Sequence, residues 1–114
     1  MAPLTDAEIL AKFRHALQEW RFTGYITWKV TAREWVERNL EGWTTRAVGH
    51  EMFLHCQAGG EIDQVRETRP EWNEQRYHYD FRIQIGDRLI YIETILVEDD
   101  PRDPTVHVVS IHDA

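Results

Sequence analysis

One cysteine, two lysines and no long apolar run set the first limits on this 114-residue chain. A lone Cys56 excludes an internal disulfide. No apolar stretch approaches the ~20 residues needed to cross a bilayer as a helix. Lysine is confined to Lys12 and Lys29, and 20 acidic against 13 basic residues leave a net charge of -7. Broad, phosphate-tracking nucleic-acid binding is disfavoured by that balance, because it depends on many basic contacts releasing counterions. The opening Met-Ala-Pro-Leu-Thr-Asp has no basic stretch followed by an apolar one, so no secretory signal is expected and the cytoplasm is the expected compartment.

What is present argues for a folded domain. Hydrophobic residues make up 42% of the chain and five are tryptophans, far from the composition of disordered segments. A chain of this length removes roughly two-thirds of its unfolded surface from water and is expected to form one domain, residues 1–114.

The first half is helical in pattern and the second is β. Thr5 and Glu8 make a capping box, and Ile9, Phe13, Leu17 and Trp20 follow at helical spacing, predicting a helix over about 6–22 before Gly24. Residues 25–30 are aromatic or β-branched, a short strand or extended connector. Thr31 and Glu34 repeat the capping box and predict a helix over 32–40; a third is expected over 45–57, with Val48, Met52 and Cys56 in one stripe and Gly59-Gly60 beyond. A strand over 61–69 must stop before Pro70, residues 71–75 form a loop carrying Trp72, and the acidic, proline-containing 98–104 suits a turn. Thr105 to His112 is the last strand. The expectation is an α+β fold: about three helices, in residues 1–60, on one face of an antiparallel sheet of about four strands in 61–114.

The strongest local signal runs from Tyr77 to Val97. Alternating aromatic or aliphatic and polar residues lead into Gly86-Asp87 and then return, which predicts a two-residue type II′ hairpin with Gly86 at positive φ. Counting from Ile85 opposite Arg88 places Ile83 by Ile90, Arg82 by Tyr91, Phe81 by Ile92 and Asp80 by Glu93. One face is then Tyr77, Tyr79, Phe81, Ile83, Ile85, Ile90, Ile92 and Leu96. The other gathers His78, Asp80, Arg82, Gln84, Tyr91 and Glu93, a mix of acid/base, cationic and hydrogen-bonding groups.

That polar face is the candidate site. Two opposed carboxylates repel unless neighbours hold their charges, and the sequence offers Arg82, reaching diagonally to both, and His78. A solvated cross-strand ion pattern would look the same in sequence and is worth only ~0–1 kcal/mol. His112 joins the face if the last strand pairs on that side, and Trp72 is the one tryptophan expected as an exposed contact residue. Arg66, Arg69, Arg76, Arg82 and Arg88 fall close together in the β region and offer a local anion site, Arg66 among its candidates. Ser110 and His112 share a strand face ~6.5–7 Å apart, without the Gly-x-Ser-x-Gly turn of a serine hydrolase. His50 and His55 stand five apart and lie on different helix faces, so they do not chelate one metal as an i, i+4 pair does. No cofactor or metal is expected.

The order of elements resembles small bacterial toxin domains of the RelE-like group, near the motility quorum-sensing regulator toxins. The likeness runs over Thr31 to Ala114: a helix to Leu40, the Gly42-Trp43-Thr44 turn, a helix ending in Gly59-Gly60-Glu61-Ile62, then successive strands. It implies a metal-free messenger-RNA endoribonuclease partnered by an antitoxin, with His78, Arg82, Tyr91 and Glu93 in the catalytic positions. In that implied chemistry His78 or Glu93 takes the 2′-hydroxyl proton, Arg82 stabilises the phosphorane and Tyr91 orients the phosphate or donates a proton. The rival reading of the acidic composition is a non-catalytic antitoxin, immunity or inhibitor module that occupies a basic partner, with an unassigned housekeeping domain third.

Overall fold

A computed structural model describes residues 6–18, 26–72, 76–98 and 105–114. Helix α1 spans Asp6–Leu17, strand β1 Ile26–Trp28, α2 Val30–Asn39, α3 Thr45–Gln57 and strand β2 Asp63–Arg66. A 3-10 turn over Pro70–Trp72 precedes the long strands β3 (Tyr77–Ile85), β4 (Arg88–Glu98) and β5 (Thr105–Asp113). The fold is α+β, and its sheet has five strands in the order β1-β5-β4-β3-β2. Among the described residues no helix is long and apolar enough to cross a membrane.

The sheet departs from the expected four antiparallel strands at its edge. Ile26 to Trp28 pairs with Val106 to Val108 in parallel, so the sheet is mixed. Three residues are too few for periodicity to declare a strand; a partner 80 positions away decides it. The same pairing moves the start of α2. Lys29 N donates to Val108 O at 2.9 Å, so the chain leaves the sheet edge directly into the helix, with Lys29 at the N-cap and no side-chain cap. The expected Thr31 cap is bypassed. Thr44 does cap α3, its Oγ1 accepting from Ala47 N at 3.1 Å. The capping Thr5, Trp20, Gly24 and most of the acidic turn over 98–104 lie outside the described residues.

The hairpin register agrees with the sequence count at every pair, from Ile85 with Arg88 to Tyr79 with Thr94. Gly86 has φ of +63° and no other residue type takes positive φ among those described, which makes the turn II′, with positive φ at its first central position only. The apolar face is buried as a continuous cluster with Phe13 and Leu17 of α1, Val36 of α2, and Val48 and Met52 of α3. Phe13 stacks on Tyr79 with ring centroids 4.2 Å apart, fixing α1 over β3.

Strand β5 needs an irregularity to serve both faces. Glu93 pairs with Ser110 but Thr94 with Val108, so Val109 is an extra residue, a β-bulge. The bulge reverses the alternation: Val106, Val108 and Ile111 enter the helix-side core, while His107, Ser110 and His112 take the opposite face. At the other end of the sheet, Arg88 holds Asp113 through two hydrogen bonds, 3.0 and 2.8 Å, donates to Asn39 O and lies over the Trp35 ring.

Truncating Phe81 to Ala should cost about 3–5 kcal/mol, because the ring is fully buried between strand and helices, whereas Gln84→Ala on the exposed face should change stability by less than about 0.5 kcal/mol. Urea titrations of the two variants check the assignment of faces, which comparable losses would overturn.

Candidate functional site

The face of the sheet turned away from the helices carries the candidate site, and the segment after β2 partly covers it. Glu67 N donates to Arg76 O at 2.9 Å, and from there the chain turns over this face to Trp72. Arg69 N donates to Glu67 Oε1 at 3.0 Å, closing a tight local loop just before Pro70 and ending β2 earlier than expected. Trp72 then rests against the His107 ring at 5.8 Å between centroids. Expected as an exposed contact residue, Trp72 is half-buried instead, because His107 of the bulged strand offers it a surface.

Beneath this segment lie His78 and Asp80 of β3 and Glu93 of β4. Their ligand-bearing atoms all lie within 4.8 Å of one another. His78 Nδ1 stands 2.8 Å from Asp80 Oδ1. A carboxylate only accepts, so Nδ1 carries the hydrogen and Nε2 is the nitrogen through which this imidazole exchanges protons. Asp80 is buried, with 6% of its surface exposed, and also accepts a hydrogen bond from the Tyr91 hydroxyl. Burial, and then that bond to Asp80, pushes the Tyr91 hydroxyl above the ordinary tyrosine range, so Tyr91 serves as a donor and not as a phenolate.

Arg82 does not bridge the two carboxylates. Its Nη1 donates to Asp63 Oδ2 of β2 at 2.6 Å, and its guanidinium lies over the Tyr91 ring at 5.9 Å. The edge strand supplies Asp63 beside Asp80 in register, and its side chain is the more accessible partner for an exposed arginine. Arg69 holds Glu93 instead. Its Nε and Nη2 donate to both oxygens of Glu67 at 2.7 and 2.9 Å, and Nη2 also meets Glu93 Oε2. That last contact is a close ion pair, and it buries Glu93 Oε2. The Arg69 side chain, through its hydrogen bonds, holds the Glu67 carboxyl down to about 2. Sequence reasoning placed Arg69 in a basic cluster but could not place it here, since a loop residue's reach depends on where the loop crosses. The one local hint was Glu67 two residues before it and Pro70 just after.

The last strand places His112 on this face, pairing with Tyr91 and stacking on its ring with centroids 4.9 Å apart. Ser110 lies opposite Glu93. Arg66 does not join: it pairs with Tyr77 and so shares the helix-side parity of β2, away from the cluster. His107 is held by Thr27 Oγ1 at 2.8 Å, and burial, then the Lys29 charge, lowers its pKa, which favours the neutral ring. Cys56, on α3, is pushed up to about 11 by burial and is a poor nucleophile at neutral pH.

No family model, no curated protein and no solved structure matches the chain.

The Glu67 carboxylate should matter most near neutral pH. Its folded pKa lies below the unfolded value, so its contribution is complete above about 4.5 and is lost as pH falls towards 2. Glu67→Gln should therefore lower stability at pH 7 and converge on the parent protein near pH 2–3. Chemical denaturation at the two pH values measures this, and an equal penalty at both would exclude the ion pair as the cause.

Proposed function

We propose that the outer sheet face is an acid–base site, and that the domain is a toxin-like endoribonuclease working without a metal. The observation that carries this reading is the 2.8 Å contact between His78 Nδ1 and Asp80 Oδ1, which presents His78 as an oriented base beside a second carboxylate, Glu93. A carboxylate behind the imidazole holds its tautomer and stabilises the imidazolium formed when Nε2 takes a proton. In the proposed reaction that proton comes from a ribose 2′-hydroxyl, whose oxygen attacks the adjacent phosphorus while the 5′ oxygen leaves and is protonated by solvent. Tyr91 orients Asp80 through its hydroxyl, a different task from the phosphate contact implied by the resemblance to RelE-like toxins. Arg82, exposed at the edge of the cluster, is the guanidinium placed to meet developing phosphorane charge. Glu93, facing Arg69, shapes the field around the base.

One observation favours the rival reading, an acidic module that binds a basic partner. Glu67, Asp80 and Glu93 bring three carboxylates to this face, where Arg69 engages Glu67 and Glu93 and Arg82 is committed to Asp63. A phosphodiester meets repulsion there; a cationic side chain does not.

Cleavage of RNA in EDTA separates the two. A ribonuclease loses about 10²–10⁴-fold in rate in His78→Ala and about 10²–10³-fold in Arg82→Ala, with folding checked by circular dichroism. Intact RNA with the parent protein, alone and with ribosomes, together with salt-sensitive capture of a basic protein, would decide for the binding module.

A further inference from the structure

We infer that His78, Asp80 and Glu93 also form a site for one divalent transition-metal ion of the zinc or manganese class. This inference goes beyond the acid–base reading and does not require it. One imidazole and two carboxylates are a donor set suited to these ions, and the histidine sets it apart from the all-oxygen environments that magnesium and calcium prefer. The three residues come from adjacent strands of a rigid sheet, with ligand atoms within 4.8 Å of one another and side chains 8–16% exposed. Ligand atoms sharing one zinc ion stand ~3.4 Å apart at tetrahedral angles and ~2.1 Å bonds, so the set closes on an ion by side-chain rotation.

The charge at Glu93 bears on the same site. Glu93 Oε2 is buried against the Arg69 guanidinium, its ion-pair partner. Arg69 faces it, but Arg69 is held by both oxygens of Glu67 and is also needed there. Arg69 thus serves two carboxylates, Glu67 and Glu93, while Asp80 beside them is held by His78 and Tyr91, and a divalent ion would add positive charge to the group. An ion at Glu93 would take the place of the Arg69 Nη2 contact, while the bond from Arg69 Nε to Glu67 is independent of Glu93. Metal at this place occupies His78 and would inhibit any acid–base work it does.

Isothermal titration of the full chain with Zn²⁺, then with Mg²⁺, tests the site, with amide NMR shifts reporting its position. One Zn²⁺ should bind at least about tenfold more tightly than Mg²⁺, with shifts confined to residues around 67–69, 77–80 and 91–95. His78→Ala and Glu93→Gln should each weaken binding by about tenfold or more. Arg69→Gln, by removing the competing charge, should tighten it, a gain that a merely structural role for the cluster does not produce. Absence of Zn²⁺ binding up to about 1 mM would overturn the inference. So would binding that survives His78→Ala unchanged, or shifts centred on His50, His55 and Cys56. Each result is read by binding, so it stands whether or not RNA is cut.

Discussion

Pairing Phe81 with Ile92 and Asp80 with Glu93 is the constraint on which the molecule depends. Side chains along a strand alternate between faces, so one register assigns every residue of β3 and β4 at once. The apolar half of that assignment receives all three helices. The polar half places two carboxylates side by side, and everything else on the outer face manages the consequence. A slip of one residue would turn His78, Asp80 and Arg82 into the helices and expose Phe81 and Ile83. The II′ turn at Gly86 prevents it by setting the register from the closed end.

Opposed carboxylates need positive charge or protons nearby, and the fold recruits them from three directions. His78 approaches Asp80 along its own strand, the Tyr91 hydroxyl reaches it from the next, and Arg69 descends on Glu93 from the segment crossing above. Burial strengthens each of these contacts and raises the penalty for losing one. The arrangement therefore couples structure to chemistry: the groups that hold the two acids in place are those that would take protons, ligands or ions. Arg69 has both roles, since its grip on Glu67 shapes the covering segment and its approach to Glu93 sets the charge of the site.

The bulge at Val109 extends the same logic to β5. Without it, the residues that pack under the helices at one end of the strand would face outward at the other. With it, Val106, Val108 and Ile111 all reach the core, while His107 and His112 both stand on the outer face, one beneath Trp72 and the other against Tyr91. The outer face thereby becomes a band with aromatic rings at both ends and acid/base groups between them.

Alternation from Tyr77 to Val97 determined by itself the hairpin, its turn type, its register and the composition of both faces, because period-2 geometry and a glycine turn are local properties of the chain. The helix over Thr45–Gln57 was legible for the same reason, as a stripe at helical spacing closed by glycines. The parallel edge strand, the early start of α2, the side taken by His112 and the true partners of Arg82 and Glu93 were decided only by tertiary structure. Each depends on a contact between distant segments: Val108 with Lys29, a bulge measured against β4, Asp63 of an edge strand with Arg82, and Arg69 reaching down from a crossing segment. A charged side chain goes to the nearest opposite charge in space, and distance along the chain carries no record of that.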